Sequence, residues 1–156
     1  MKARIVLVPL DGSTLAEQAL ERAIGCMDNG GKLVLLRAAE AHTSAFRDPS
    51  EAQVAAVSEA ETYLETAAMR ARRAGAKDVE TCVWYGPAVE AIVEAADHRK
   101  ADLIVMTTHG RSGVGRLVLG SVAESVLRAT TVPMLLVHPD ARVWVINDPA
   151  RETSGV

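Results

Sequence analysis

The chain has 156 residues, a formal net charge of −3 and a composition that is 49% hydrophobic but only 3% aromatic. At this length one domain burying roughly 68–70% of its unfolded surface is expected, with a core of aliphatic side chains and, from 26 alanines, closely packed helices. With 17 basic against 20 acidic residues, no cationic excess exists to hold a phosphate backbone, which argues against nucleic-acid binding, and no apolar run approaches the roughly 18 residues that span a bilayer; a soluble, cytoplasmic protein without membrane contact is expected.

Ile5-Val6-Leu7-Val8 is continuous rather than alternating, the pattern of a parallel strand covered on both faces, and it ends at Pro9. Thr14-Leu15-Ala16-Glu17 reads as a capping box, after which Leu15, Ala19, Leu20, Ala23 and Ile24 recur at helical spacing. Asn29-Gly30-Gly31 breaks this helix, and Lys32 to Ala38 reads as a second buried strand. A polar loop from Glu40 to Pro49 precedes a second capping box, Ser50-Glu51-Ala52-Gln53, which opens a long helix to about Ala74. Val54, Val57, Leu64, Ala68 and Ala71 mark its buried stripe, and Arg70, Arg72 and Arg73 suit the negative end of its dipole, with Gly75 as a left-handed cap. Val79 to Trp84 is a third strand, interrupted by Glu80 and Thr81 and therefore placed at a sheet edge.

Gly86-Pro87 starts a third helix whose inward face is Val89, Ile92, Val93 and Ala96. Asp102 to Met106 is the fourth strand, followed by a glycine-rich loop from Thr107 to Gly120. Ser121-Val122-Ala123-Glu124 is a third capping box, opening a helix to about Ala129, and Val132 to Val137 is a fifth strand in which Pro133 suits an outer position. Such alternation predicts a doubly wound α/β fold, a five-stranded parallel sheet of strand order 3-2-1-4-5 with helices on both faces and right-handed crossovers. One domain over residues 1–138 and a C-terminal extension over 139–156 are expected. Within the extension, Val143-Trp144-Val145-Ile146 is an apolar run that either packs onto its own domain or reaches across to a partner.

Cys26 and Cys82 are far apart and form no Cys-x-x-Cys pair, while His42, His98, His109 and His138 have no metal-ligand spacing, so buried reduced thiols and no metal centre are expected. In an open α/β sheet ligands bind beyond the carboxyl ends of the strands, which points to the loops Pro9-Leu10-Asp11-Gly12-Ser13 and Thr107 to Ser121. The glycines of the second loop and the amides opening the helix after Gly120 suit an anion. Gly110 to Gly115 has the glycine spacing of a P-loop, yet Arg116-Leu117 follows instead of Lys-Ser or Lys-Thr. Val118 stands where a dinucleotide fingerprint needs its third glycine, and Val114 stands where a nucleophile elbow needs its second.

What remains is Thr107-x2-Gly110-x9-Gly120-Ser121 between the fourth strand and the last helix. This resembles the Gly-x2-Gly-x9-Gly-Ser/Thr pattern of the nucleotide-binding branch of the universal stress protein family, with Thr107 in place of the first glycine. The resemblance extends to Val8-Pro9-Leu10-Asp11-Gly12-Ser13, Gly86-Pro87, Ala101 to Met106 and Val132 to Val137, and so runs to about His138. It implies ATP, with Mg²⁺ accompanying the nucleotide, lying across the ends of the first and fourth strands. Carried over by position, Pro9, Leu10 and Asp11 border the adenine and ribose, Ala38 lines the adenine pocket, and Met106 and Thr107 flank the ribose. Gly110, Gly120, Ser121, Val122 and Ala123 face the phosphates, and Arg111 is a further phosphate candidate. No residue is assigned a catalytic role.

Taken singly, these residues have simpler structural readings, Asp11 and Ser13 as helix caps and Ser121 with Glu124 as another; their convergence on one crevice is what favours a site. Three classes of function follow: a regulatory ATP-binding module of the stress-response type, a weak ATPase or phosphoryl-transfer enzyme, and a nucleotide-free structural dimer. A homodimer pairing through the apolar fifth strand is expected, since a bare sheet edge invites a second copy.

Overall fold

The computed structural model describes residues 2–40, 48–108, 119–139 and 142–147. In chain order it comprises β1 (Ala3–Pro9), α1 (Thr14–Cys26), β2 (Met27–Ala39), α2 (Pro49–Arg73), β3 (Asp78–Tyr85), α3 (Ala88–Arg99), β4 (Leu103–Thr107), α4 (Ser121–Ala129), β5 (Met134–Val137) and β6 (Val143–Ile146). The strands form one sheet in the order β3-β2-β1-β4-β5-β6. All neighbours are parallel except β5 and β6, which run antiparallel. The parallel order 3-2-1-4-5 is therefore as expected, with a sixth strand added.

Continuous apolar runs fold into strands here because both faces of the sheet are covered. Val6, Val8, Leu33, Leu35, Leu103 and Val105 point to one side, where they pack with Ala19, Leu20 and Ala23 of α1 and Leu64, Ala67, Ala68 and Ala71 of α2. Leu7, Val34, Leu36, Ile104, Met106 and Leu136 point to the other, against Ile92 and Ala95 of α3 and Ala123 and Val126 of α4. The register puts Val6 beside both Leu33 and Leu103, and Leu7 beside both Val34 and Ile104. Each of the fully buried leucines stabilises the fold by roughly 1.5–3 kcal/mol, and the alanines let the helices approach the sheet closely. Trp84 and Tyr85 end β3, which is an edge strand, as the interruption by Glu80 and Thr81 predicts.

All three expected capping boxes start at the wrong residue. Ser13, not Thr14, is the N-cap of α1, its Oγ accepting from the Ala16 N–H at 3.1 Å. Asp48 caps α2, with Pro49 in the first helical position and the Ser50 N–H donating to Asp48 Oδ1 at 2.8 Å. Gly120 occupies the N-cap of α4, so Ser121 is already helical and no side chain caps that end. In each case a residue one or two places upstream takes the extended backbone of the cap, and Ser/Thr-x-x-Glu spacing alone does not distinguish adjacent frames. Gly75, with φ 107°, follows the last turn of α2, and the Ala76 N–H reaches back to the Ala71 carbonyl at 3.0 Å, as expected of a left-handed cap.

Asn29-Gly30-Gly31 does not separate a helix from a strand starting at Lys32. β2 already begins at Met27, and its pairing with β1 jumps from Ala3↔Met27 to Ile5↔Lys32. Gly31 makes the jump possible, because a Cβ there would lie 3.1 Å from the Arg4 carbonyl oxygen and 3.2 Å from that of Ala3.

The largest correction concerns β5. It is not an edge strand: its outer side is paired by β6 of the same chain, Leu135 opposite Val145 and Leu136 opposite Trp144. Trp144 and Ile146 join one core cluster and Val145 the other, and the His138 ring meets Trp144 edge to face at 5.8 Å. The apolar run beyond residue 139 thus packs onto its own domain. A parallel strand four residues long exposes a strip of backbone and aliphatic surface that the chain covers itself.

At the amino-terminal ends of the strands, Asp102 immediately precedes β4 and its Oδ2 accepts from the backbone N–H groups of Arg4 at 3.1 Å and Ile5 at 2.8 Å, while its own N–H donates to the Ile5 carbonyl at 2.9 Å. Asp102→Ala, by removing the single oxygen that accepts both bonds at the start of the β1–β4 pairing, is expected to cost about 1–2 kcal/mol in urea unfolding, whereas Asp102→Asn, which keeps one oxygen, costs less. Equal stability of Asp102→Ala and the parent would refute that role.

Cys26 and Cys82 are both free thiols; Cys82 is buried as expected, its pKa pushed upward by burial, whereas Cys26 is only partly buried. Among the described residues no helix is long and apolar enough to cross a membrane.

Candidate functional site

Chain direction creates the crevice. β1 continues into α1 and then to β2 on one side, whereas β4 enters the sheet on the other side of β1. The connections leaving β1 and β4 therefore diverge at their carboxyl ends, and the gap between them is where ligands bind in open sheets. A cavity of about 360 Å³ occupies that gap, within the roughly 300–1,000 Å³ usual for small-molecule sites.

Its walls contain each sequence-predicted residue that falls among the described ones. Pro9, Leu10 and Asp11 come from the end of β1, Ala38 from β2, Met106 and Thr107 from β4, and Gly120, Ser121, Val122 and Ala123 from the start of α4. Gly110 and Arg111 lie outside the described residues. Five further lining residues were not anticipated: Ala16, Leu36, Arg37, Ala88 and Ile92. Two of them carried a signal. Leu36 lies on the same apolar strand end as Ala38, and Ile92 belongs to the inward face expected of α3, although helical spacing does not say what it faces.

The cavity is chemically two-sided. Leu10, Leu36, Ile92 and Met106, all buried, make one apolar part. The N-terminus of α4 also lines the cavity. Gly120 has φ −64° and ψ 155°, and its carbonyl accepts the first helical bond from the Glu124 N–H at 2.9 Å, which leaves the N–H groups of the first turn without a side-chain cap. Glu124, in that turn, turns down the helix to pair with Arg128 at 2.9 Å. Amides with no side-chain cap among the described residues, together with the positive end of the helix dipole, attract an anion.

Two other helices begin beside the cavity: α3 at Ala88, whose N-cap Pro87 makes no side-chain capping bond, and α1, whose N-terminus is satisfied. Ser13 caps α1, and Asp11 Oδ1 accepts from the Ser13 N–H at 2.9 Å, so Asp11 closes a local turn. Asp11 and Arg37 are the charged groups among the described lining residues. Among the described residues no cluster of three or more His, Cys, Asp or Glu side chains is placed to hold a metal ion.

Comparison with known proteins gives a consistent picture. The sequence model described as the universal stress protein family matches residues 2–138. A protein of Staphylococcus aureus (strain USA300) named as a universal stress protein is 34% identical over 139 residues, covering 86% of this chain and 84% of its own. Among solved structures, a universal stress protein in complex with cAMP is 31% identical with a TM-score of 0.69, over 87% of this chain and 97% of that one. A protein of the universal stress protein family from Burkholderia pseudomallei is 31% identical with a TM-score of 0.68, over 86% of this chain and 95% of that one.

Proposed function

Since the chain belongs to the universal stress protein family, we propose that its crevice binds an adenine nucleotide, ATP accompanied by Mg²⁺, and that the protein acts as a nucleotide-dependent regulatory module of the stress-response type. The observation that carries this reading is the pairing, in one cavity, of an apolar slot with an uncapped helix N-terminus. A planar base suits the slot formed by Leu10, Leu36, Ile92 and Met106, and phosphates suit the amides of Ser121, Val122 and Ala123, with the Ser121 hydroxyl as a further donor. Asp11, exposed at the mouth between the two, suits a ribose hydroxyl as its donor partner.

The donor set also bears on the metal. With Asp11 the one carboxylate among the described lining residues, a magnesium ion accompanying the nucleotide would be held mainly by phosphate oxygens and water and would supply neutralisation of phosphate charge. The same scarcity of titratable lining groups favours binding over turnover, since no described lining residue offers a general base other than a carboxylate already accepting the Ser13 N–H. The relative solved with cAMP makes a cyclic nucleotide the natural competitor in any assay.

Calorimetry with ATP and Mg²⁺, ADP and cAMP tests the reading: saturable 1:1 binding of ATP is expected, and no heat at millimolar ATP overturns it. Asp11→Ala is expected to weaken binding about tenfold, the loss of one charge-assisted hydrogen bond of about 1.5–3 kcal/mol. Unchanged affinity with a lowered melting temperature would reduce Asp11 to a turn residue.

A further inference from the structure

Arg37 stands on β2 one residue before Ala38, and its long side chain turns back onto the chain leaving β1. Nη1 donates to the Leu10 carbonyl oxygen at 3.3 Å. The Leu10 N–H donates to the Leu36 carbonyl at 2.8 Å, so both backbone groups of Leu10 are tied to β2. The guanidinium carbon lies 5.5 Å from the centroid of the Tyr63 ring, which α2 contributes. Gly12 abuts the same guanidinium: a Cβ at this position would lie 3.5 Å from Nη1 and 3.6 Å from Nη2, and its φ of 86° already disfavours any side chain. Asp11 is the residue between the two that Arg37 touches.

We propose that Arg37, stacked on Tyr63, is a positioning residue that holds the turn from Leu10 to Gly12, and with it the Asp11 carboxylate, in the geometry that receives the base and ribose. The inference rests on the nucleotide reading above. A turn containing a glycine at positive φ has many alternative conformations, and binding through Asp11 must otherwise bear the cost of ordering it. Arg37 is suited to prevent this because a planar guanidinium can donate to a carbonyl while its face lies on an aromatic ring, which a flexible ammonium does less well. Tyr63 contributes its ring, while its buried hydroxyl lies near the Gly12 backbone without a hydrogen bond of normal geometry among the described residues. The site attributed to phosphates is elsewhere, at α4, so Arg37 acts through the turn rather than on the phosphate charge.

The test uses the full-length protein with two probes, adenosine and ATP with Mg²⁺, and hydrogen exchange of the ligand-free protein. Arg37→Met is expected to weaken adenosine and ATP by the same factor, about tenfold, independently of salt, and to speed amide exchange across residues 10–13 about tenfold while α2 is unchanged. Tyr63→Leu should give the same pattern about fivefold, Tyr63→Phe should bind as the parent does, and the double variant Arg37→Met/Tyr63→Leu should be no worse than Arg37→Met alone. A loss confined to ATP, or one that vanishes in high salt, means a direct phosphate contact and overturns the proposal. So does normal adenosine affinity, or exchange across residues 10–13 that does not change. If the parent protein binds neither probe, the nucleotide reading falls and this one with it, an outcome distinct from a parent that binds and a variant that does so equally well.

Discussion

Gly120→Asp is expected to abolish ATP binding and, at the same time, to stabilise the protein. Position 120 is the N-cap of α4, with extended backbone angles that any residue can adopt and, among the described residues, no side chain satisfying the helix N-terminus. Aspartate is among the best residues at that place, its carboxylate accepting from the second or third helical N–H and gaining from the dipole, worth about 0.5–2 kcal/mol. Those amides, of Val122 and Ala123, are the ones assigned to the phosphates, so the substitution fills their acceptor site and adds a negative charge beside it. Loss of two charge-assisted bonds corresponds to at least about 100-fold in affinity, or roughly 2.7 kcal/mol. Gly120→Asn caps without charge and should lose less. Calorimetry and thermal melting on the same samples decide the matter: a melting temperature that holds or rises with binding gone supports the site, and retained affinity shows that α4 does not hold the phosphates.

Removal of β6 has the second large effect. Truncation after Asp140 takes away Val143 to Ile146, and with them the packing of Trp144 and Ile146 on one face of the sheet and of Val145 on the other. The expected cost is about 3 kcal/mol, a fall of roughly 6–12 °C in melting temperature for a chain of this size. It also bares the outer side of β5, where Met134 to Val137 are all buried in the intact chain. A bare apolar edge recruits another strand, so in analytical ultracentrifugation the truncated chain should sediment as a larger species than the full-length chain at equal concentration. The opposite result, weaker association after truncation, would mean that β6 serves the partner's sheet rather than its own.

Several features were legible in the residues because they arise from local physics. A strand covered on both faces must be apolar at successive positions, and Ile5 to Val8, Leu33 to Leu36 and Leu103 to Met106 are. Glu80 within β3 and the arginines ending α2 marked an edge and a helix terminus for equally local reasons. The loops after β1 and β4 were legible as ligand candidates because alternating strands and helices imply a crevice at diverging strand ends, while Gly120 and Ser121 were singled out by their resemblance to the family pattern. Less legible was the precise cap. Ser13 and Thr14, Asp48 and Ser50, or Gly120 and Ser121 are all acceptable beginnings, and the choice turns on which residue keeps an extended backbone.

By itself the sequence determined that this is an alternating α/β chain with a parallel sheet and a crevice at the ends of its first and fourth strands, since burial patterns and glycine placement act over a few residues. Tertiary structure alone decided the remainder. Val143 to Ile146 could lie on its own sheet or a neighbour's until the antiparallel register with β5 assigned it. Arg37 had no reason to be noticed until β2 was set beside β1, bringing its guanidinium to Leu10, Gly12 and the ring of Tyr63. Contacts between residues 25 or more positions apart depend on strand order and register, and no local pattern of apolar and polar residues encodes them.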